Sequence, residues 1–449
     1  MKKLSALYLF VLSLAILTVT SCSFFPVSSN RNYPENRTVI DDDKNQVTFI
    51  TKNSKYQKVY LEDLLLKYRS ELLNNIVPFW LNYGIDWQNG GINTCLSDDG
   101  EVLSTDKYMW SQLRAIWTFS ALYNKIEKRQ EWLDAALQIY EFVKKYGRDD
   151  KGRWVYAVLE DGTLIKGATS IYADGFAIDA FTELAKATGR DDVIQLALDT
   201  YFNVKKRLDM PGSYPTEPLP IPPDSKAHGI AMIFGKVFHD LGKYLNNNEI
   251  MEAGYNLAEE VMTVFRRPEE KRLFEFIKLD DTFLEIPPGF TTVPGHAIES
   301  MWFMIEIYQD YNNQVRIQQA LECIRWHIEL GWDSEYGGIF AAYNAEGSFW
   351  EHQWDHKLWW VQVEALYATL LGFSISNDKY FLDWFLEVHD YAFKHYPVHY
   401  YGEWYQRLDR YGNHVNNIAA MPVKDPFHVA RSMINCVNLL EHLSSVQKN

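Results

Sequence analysis

The sequence predicts an all-α fold, an (α/α)6 barrel (toroid) that carries short β-hairpins on one rim. Three observations predict this fold. Segments with helical periodicity follow one another along the chain, several of them are apolar on two faces, and a glycine turn motif recurs between them. About twelve such segments would form six helical hairpins, and six hairpins in one domain favour a closed ring.

The helical segments carry apolar residues at spacings of three, four and seven. One segment is apolar on two faces through Trp110, Leu113, Ile116, Trp117 and Phe119, which is typical of a helix packed on both sides in a ring. The predicted helices cover residues 58–81, 107–125, 131–147, 172–188, 191–208, 228–246, 249–267, 294–312, 315–331, 355–373, 378–396 and 427–444.

A motif that ends in two glycines is predicted to begin small β-hairpins on one rim. Asp86 is followed by Gly90-Gly91, and Asp333 is followed at the same spacing by Gly337-Gly338. Looser relatives are Asp150-Lys151-Gly152-Arg153-Trp154 and Tyr401-Gly402-Glu403-Trp404. Short β-prone runs then lead to turns such as Asp98-Asp99-Gly100, Glu160-Asp161-Gly162 and Ala345-Glu346-Gly347. Single turns of this kind arise by coincidence, but a repeated register favours regularly inserted hairpins.

The first 22 residues are predicted to be a lipoprotein-type signal peptide. Lys2 and Lys3 precede an apolar run, and Val19-Thr20-Ser21-Cys22 resembles a lipobox, so Cys22 would be lipidated. Plain secretion with cleavage nearby and a cytosolic protein with a misread start are the alternatives. Residues 23–55 have the composition of a flexible spacer, and residues 56–449 form one barrel domain. The sequence therefore predicts an exported bacterial lipoprotein in the periplasm or on the surface of a cell-envelope membrane.

The composition excludes some classes of partner. The chain has 44 Lys plus Arg against 59 Asp plus Glu, a net charge of −15, so a nucleic acid is not an expected partner. The expected membrane contact is the lipid anchor alone. The 15 Trp, 28 Tyr and 25 Phe of the chain fill cores and also provide flat platforms for sugar rings. Cys95, Cys323 and Cys436 show no metal or disulfide spacing and are predicted to be buried thiols.

Two histidines stand at the predicted starts of helices. His296 follows Pro294-Gly295, and His428 follows Pro426-Phe427. The positive end of a helix dipole lowers the pKa of a histidine in the first turn and favours the neutral imidazole that a base needs near pH 7. A capping or core histidine is the ordinary alternative for either residue alone, and two histidines in the same setting favour catalysis.

Two aromatic and charged clusters lie on predicted helices. Trp360 stands four residues before Glu364, so an aromatic shelf and a carboxylate can face one cavity. Arg114 lies between Trp110 and Trp117, where it is either a buried structural cation or an oxyanion holder. A glycoside hydrolase would instead need two carboxylates at a fixed separation, and its candidates are Asp174, Glu299, Glu364 and Glu403.

Together, the clusters around His296, His428, Trp360 with Glu364, and Arg114 resemble the N-acylglucosamine 2-epimerase and cellobiose 2-epimerase superfamily in their order along the chain. The likeness covers nearly all of residues 60–445 and includes Ile76-Val77-Pro78-Phe79-Trp80 and Trp332-Asp333. The resemblance implies an (α/α)6 barrel whose central cavity binds an aldose. The family opens the sugar ring, removes the proton on carbon 2 to form an enediolate, and returns a proton on the opposite face.

The resemblance also implies roles for the site residues. His296 and His428 would be the two bases, and Arg114 would hold the substrate oxygens and the charge of the enediolate. Glu299 would orient His296 or help ring opening, and Trp360 with Glu364 would form the floor under the sugar. Trp110, Asp174, His228 and Trp404 are further expected substrate contacts. The chemistry requires no metal or redox cofactor, and no nucleotide site is expected.

The substrate stays open within this resemblance. Asp425-Pro426 and Gln362 resemble the cellobiose epimerases, whereas Lys107-Tyr108-Met109-Trp110 and Pro294-Gly295-His296 resemble the N-acylglucosamine side. N-acetylglucosamine with N-acetylmannosamine is the first expectation, followed by a cellobiose-type disaccharide or an isomerisation among mannose, glucose and fructose. A toroidal glycoside hydrolase or lyase and a non-catalytic sugar-binding lipoprotein are the alternatives from other classes. Relatives often dimerise through the barrel wall, so a homodimer is an open alternative to a monomer.

Overall fold

The computed structural model describes residues 48–49, 59–210, 212–285, 287–344 and 353–446. The predicted signal peptide with Cys22, and all of the predicted spacer except residues 48–49, lie outside the described residues. Within that part of the chain, no helix is long and apolar enough to cross a membrane.

Twelve helices make up the body of the described chain. The first, α1 (Leu61–Ser70), runs on through Glu71–Ile76, Val77–Phe79 and Trp80–Gly84, of which the first and last are π-helical. The others are α2 (Met109–Lys125), α3 (Gln130–Tyr146), α4 (Ile171–Thr188), α5 (Asp191–Leu208), α6 (His228–Leu245), α7 (Asn248–Glu260, continued by the π turn Val261–Phe265), α8 (Pro294–Asp310), α9 (Gln314–Gly331), α10 (Trp359–Ser376), α11 (Lys379–His395) and α12 (Phe427–Val446).

The even-numbered helices form an inner ring. Each packs on the next inner helix, and α12 closes the ring by packing on α2. Each inner helix also packs on the outer helix that follows it, while α12 packs on α1, so the two ends of the barrel chain meet in the sixth hairpin. Inner helices are apolar around most of their surface, because ring neighbours and an outer helix cover them; α10 is buried from Val361 to Phe373.

Sixteen short strands lie among the described residues, and most precede inner helices. They are β1 (Thr48–Phe49), β2 (Val59–Tyr60), β3 (Cys95–Ser97), β4 (Val102–Ser104), β5 (Lys107–Tyr108), β6 (Ala157–Val158), β7 (Leu164–Lys166), β8 (Ser225–Ala227), β9 (Arg266–Arg267), β10 (Arg272–Leu273), β11 (Phe276–Lys278), β12 (Thr291–Thr292), β13 (Tyr343–Asn344), β14 (Lys357–Leu358), β15 (Arg407–Leu408) and β16 (Ile418–Ala420). They pair antiparallel in sheets of two or three, including β5-β6-β7, β16-β3-β4, β8-β11 and β14-β15. Because β5, β8, β12 and β14 lead into inner helices, these hairpins gather at the amino ends of the inner ring.

The double-glycine motif ties each of two hairpins to an inner helix. Gly90 and Gly91 adopt φ of +99° and +76°, which residues with a Cβ rarely adopt. The side-chain amide of Gln112 then bonds both the N–H and the C=O of Ile92, each at 2.7 Å. Nζ of the buried Lys107 lies 2.8 Å from Asp86.

The second motif repeats this arrangement before α10, which is two inner helices away from α2 around the ring. The side-chain oxygen of Gln362 accepts a hydrogen bond of 2.9 Å from the N–H of Ile339, and its side-chain nitrogen donates one of 2.8 Å to the C=O of Ile339. Nζ of Lys357 lies 3.1 Å from Asp333. The prediction of a toroid with rim hairpins is confirmed; the turn at Ala345-Glu346-Gly347 lies outside the described residues.

Candidate active site

The inner ring encloses a cavity of about 600 Å³ along the barrel axis. It begins among the first turns of the inner helices and continues to their last turns. Every inner helix lines it, through Trp110, Tyr172, Met232, His296, Trp360 and His428 among others. Of the ten site residues predicted within the barrel, six line this cavity: Trp110, Arg114, His296, Glu299, Trp360 and His428.

His428 is the second residue of α12 and lies at the wall of the cavity. Its Nδ1 is 2.7 Å from Oε1 of Glu364, so Nε2 is the nitrogen left for a ligand. The other oxygen of Glu364 accepts a hydrogen bond of 2.8 Å from the indole of Trp302. Burial, together with the positive charge of Arg114, lowers the pKa of His428 well below its ordinary value despite nearby carboxylates. The imidazole is therefore neutral at pH 7 and able to accept a proton.

Arg431, one helical turn after His428, joins two carboxylates behind the histidine. Its Nη2 donates to Oε1 of Glu364 at 2.7 Å and also to Oε1 of Glu299. Glu299, Glu364 and His428 together have the donor atoms of a cation site. The guanidinium already supplies the positive charge that such a cation would bring, so the cluster fits an ion-pair network rather than a metal centre.

His296 is the third residue of α8 and is partner to a different carboxylate. Its Nδ1 lies 3.2 Å from Oε2 of Glu275. Burial lowers the pKa of His296, but the adjacent Glu275 carboxylate outweighs burial, so the pKa is raised above its ordinary value. The predicted lowering of the pKa is thus found for His428, where burial and Arg114 cause it, and is wrong for His296, because the Glu275 carboxylate outweighs burial.

Trp360 lies between the two histidines. Its ring centroid is 5.0 Å from that of His296 and 5.7 Å from that of His428. Gly295 makes this possible, since a Cβ there would stand 2.6 Å from the indole of Trp360. An aromatic surface flanked by two imidazoles suits a sugar whose reacting carbon lies between two proton-transfer groups.

Arg114 projects into the same cavity from α2. Its guanidinium carbon lies 4.1 Å from the ring centroid of Phe176 and 4.8 Å from those of Trp110 and Phe427. The carboxylate paired with it is that of Asp425, whose Oδ2 is 3.8 Å from Nη1. Burial lowers the pKa of Arg114 to about 10, so it stays charged at pH 7. The three rings fix the plane of the Arg114 guanidinium. Its N–H groups make no hydrogen bond to another described residue, which leaves them for a ligand.

Several predicted contacts have other roles. Glu299 bonds Arg431 rather than His296, so its predicted role of orienting His296 is wrong. Glu299 does line the cavity, and the alternative role in ring opening stays a prediction. Glu364 is 1 % exposed and lies behind His428, so it does not form part of the sugar floor. His228 is fully buried behind Glu275 and does not line the cavity either.

Asp174 and Trp404 lie away from the cavity, which corrects the prediction that they bind substrate. Asp174 faces the outer helix α5, where its carboxylate is 2.7 Å from Nη2 of Arg207. The indole of the fully buried Trp404 donates to Glu71 at 2.7 Å. The neighbouring hydrolase candidate Glu403 is likewise buried, 2.9 Å from Nζ of Lys424.

Sequence reasoning missed several residues of the site, among them Glu275, Arg431 and Tyr172. Arg431 left a signal, because it is a lone cation one turn after His428 on an otherwise apolar stretch. Tyr172 lines the cavity with its ring 5.6 Å from that of Trp110. Glu275 left no signal in the sequence, since only the pairing of β8 with β11 brings it to the histidines.

Comparison with known proteins gives a consistent family. The family model described as N-acylglucosamine 2-epimerase (GlcNAc 2-epimerase) matches residues 90–432. The N-acylglucosamine 2-epimerase of Bos taurus is 29% identical over 384 residues, 83% of this chain and 90% of the relative. A cellobiose 2-epimerase of Bacteroides fragilis is 22% identical over 410 residues, 84% and 99% of the two chains. The solved structure of a cellobiose 2-epimerase from Bacillus thermoamylovorans superposes with a TM-score of 0.74 at 21% identity, over 85% of this chain and 100% of that one.

Proposed function

This chain belongs to the N-acylglucosamine 2-epimerase family and is a sugar 2-epimerase or isomerase, and from that premise we propose that it interconverts N-acetylglucosamine and N-acetylmannosamine. The observation that carries the mechanism is the pair of histidines flanking Trp360, each with a carboxylate at Nδ1. Their pKa values are displaced in opposite directions, which is how an acid and a base are set apart within one site.

In the proposed reaction, the open-chain aldose lies along Trp360 with carbon 2 between the two imidazoles. Neutral His428 accepts the carbon-2 proton through Nε2, and protonated His296 donates a proton to the opposite face. The reverse reaction uses the same groups in exchanged roles. One proton is taken and one returned, so the sugar changes configuration at carbon 2 with no change in composition.

Arg114 stabilises the negative charge that forms when the carbon-2 proton leaves, and removal of this proton is the difficult step of the reaction. Removal of the carbon-2 proton places negative charge on the aldehyde oxygen, giving an enolate, or an enediolate where carbon 2 carries a hydroxyl. The N–H groups of Arg114, which make no hydrogen bond within the described residues, lie in a largely apolar cavity and suit that oxygen. Held by three rings, the guanidinium needs little reorganisation as the charge develops.

The bovine relative supports the N-acyl substrate, and the bacterial relative supports a cellobiose-type disaccharide as the second candidate. Isomerisation of mannose or glucose to a ketose shares the first proton transfer and is the third. A hydrolase is disfavoured by contacts: Glu299 and Glu364 both bond Arg431, and Glu275 faces two histidines. A toroidal hydrolase would need an acid and a base free to act on a glycosidic bond.

The test is proton NMR of the protein in D2O with N-acetylglucosamine, N-acetylmannosamine, cellobiose, mannose and glucose. Loss of the H2 signal of N-acetylglucosamine with growth of the N-acetylmannosamine signals would support the proposed pair. H2 exchange confined to cellobiose, or a ketose product from mannose, would replace it with the second or third candidate. Release of new reducing ends without H2 exchange would favour hydrolysis.

We also propose export of this protein as a lipoprotein, anchored by a diacylated Cys22. The apolar run after Lys2-Lys3 and the sequence up to Cys22 support it. Labelling of cells with a radioactive fatty acid should mark the wild-type protein. The Cys22→Ala variant should remain unlabelled; equal labelling of both would exclude lipidation at Cys22.

A further inference from the structure

The carboxylate of Glu275 lies between two imidazoles at the wall of the cavity. Oε2 of Glu275 is 3.2 Å from Nδ1 of His296 and 3.5 Å from Nδ1 of His228. The ring centroids of His228 and His296 are 6.0 Å apart. A single carboxylate oxygen therefore faces Nδ1 of His296 and Nδ1 of His228.

The backbone fixes these three residues relative to one another. Glu275 immediately precedes β11, which pairs with β8 so that Phe276 lies opposite Ala227. The backbone N–H of His228 donates to the C=O of Glu275 at 3.1 Å. His228 and His296 stand in the first turns of the adjacent inner helices α6 and α8. The strand pair thus holds the carboxylate against both helix starts.

His228 has no access to the cavity. It is 0 % exposed, and within the described parts of the chain neither ring nitrogen makes a hydrogen bond of full geometry, although the backbone of His296 is close enough to raise its pKa. Burial lowers the pKa of His228, so the ring is neutral and can present an N–H at Nδ1. A buried imidazole needs a polar partner, and the Glu275 oxygen 3.5 Å away is the acceptor placed to supply it.

Glu275 differs from the carboxylate that serves the other histidine. Glu364 is bonded to Arg431, which balances its charge. Glu275, in contrast, forms its ion pairs within the described residues with His228 and His296. Of the other charged groups that act on His296, Glu299 raises its pKa and Arg114 lowers it. The charge of Glu275 is therefore directed at the imidazoles.

We propose that His228, Glu275 and His296 form a positioning triad, in which His228 holds Glu275 and Glu275 orients His296 as the proton donor to carbon 2. This inference rests on the proposed function. Nδ1–H of His296 donates to Glu275, which leaves Nε2–H directed at the substrate. Neither Glu275 nor His228 exchanges a proton with the sugar, so both are positioning residues.

The experiment is a pair of pH titrations on Glu275→Gln, which keeps the shape of the side chain and removes its charge. The matched control is Glu270→Gln, on an exposed glutamate in the turn between β9 and β10. Histidine-labelled NMR, with His296→Asn used to assign the signal, gives the pKa of His296 directly. We expect Glu275→Gln to lower this pKa by at least about one unit and Glu270→Gln to leave it unchanged.

The second titration follows exchange of the carbon-2 proton against pH. An acid is active only while protonated, so the rate falls as pH rises through the pKa of His296. We expect Glu275→Gln to move that fall to lower pH and to reduce kcat about tenfold or more. Glu275→Asp keeps the charge and should retain much of the elevated pKa, which separates loss of charge from loss of folding.

His228 is tested by two variants of different hydrogen-bonding capacity. His228→Asn can still donate to Glu275 and should keep the pKa of His296 within about half a unit of wild type. His228→Leu cannot donate, and should change both that pKa and kcat. Equal behaviour of the two variants, or an unchanged pKa of His296 in Glu275→Gln, would overturn the triad. The NMR titration tests the triad even if no sugar exchanges its proton, a result that would count against the proposed function alone.

Discussion

Oε1 of Glu364 lies 2.7 Å from Nδ1 of His428. A neutral histidine bonded in this way carries its hydrogen on Nδ1, and its basic lone pair is on Nε2. Trp302 and Arg431 hold the carboxylate in turn, so the tautomer of the proposed base is set by groups that do not exchange protons with the sugar. This geometry and its counterpart at His296 have consequences that can be measured.

Replacement of Glu364 by Gln should lower kcat about 100-fold with a smaller change in KM, since the amide permits the unproductive tautomer of His428. Initial rates of carbon-2 exchange measure this. Glu329→Gln, on the outer helix α9, is the matched control because Glu329 accepts a hydrogen bond from Tyr380 at the surface, away from the cavity. A kcat of Glu364→Gln within twofold of wild type would contradict the role of Glu364.

The rate of epimerisation should show a bell-shaped dependence on pH. The pKa of His428 lies below the ordinary value near 6.5, so the rate rises as pH increases through that lowered pKa and the base becomes neutral. The pKa of His296 lies above 6.5, so the rate falls as pH increases through it and the acid is lost. A plateau should therefore include pH 6.5. A rate minimum there, with activity rising on both sides, would contradict the assignment.

Replacement of Arg114 by Lys should reduce kcat/KM by about 100-fold although the charge is kept. An ammonium cannot stack between Trp110, Phe176 and Phe427 or offer two parallel N–H groups. Arg325→Lys is the matched control, because that guanidinium also lies over two rings but on the outer wall. Equal, small losses for both variants would show that Arg114 acts only in packing.

Replacement of Gly295 by Ala should displace Trp360 and raise KM by about tenfold, because the new methyl would lie 2.6 Å from the indole. Tryptophan fluorescence and steady-state kinetics follow the two effects. Gly167→Ala is the control, since no atom of the described residues, its two chain neighbours aside, lies within 4 Å of a Cβ at that position. An unchanged KM for Gly295→Ala would mean that the floor under the sugar does not depend on Trp360.

Much of the ring can be predicted because its physical causes are local. Helical period, two-faced apolarity and paired glycines are properties of short segments, and they predict the helices and both Asp-Gly-Gly hairpins. Trp110 and Trp360 are predictable for a related reason. Each is the second residue of an inner helix, three residues after a buried lysine that bonds the aspartate of the hairpin.

The orientation of individual side chains cannot be predicted in the same way. A helix that is apolar on both faces gives no sign of which face meets the cavity, so the sequence does not reveal that Asp174 faces Arg207 on α5. An aromatic residue after a glycine turn, such as Trp404, has the same pattern in a core as in a binding site. Glu275 depends on a strand pairing between distant segments, and the spacing of Glu299 from His296 on α8 does not predict its bond to Arg431.

The most direct measurement is exchange of the carbon-2 proton by His428→Asn and His296→Asn, each tested with both epimers of the sugar that the wild type interconverts. Two acid/base groups on opposite faces predict that each variant exchanges the proton of only one epimer, and a different one. Interconversion should fall at least about 100-fold in both. Exchange of both epimers by either variant, or interconversion near the wild-type rate, would contradict a two-histidine epimerase.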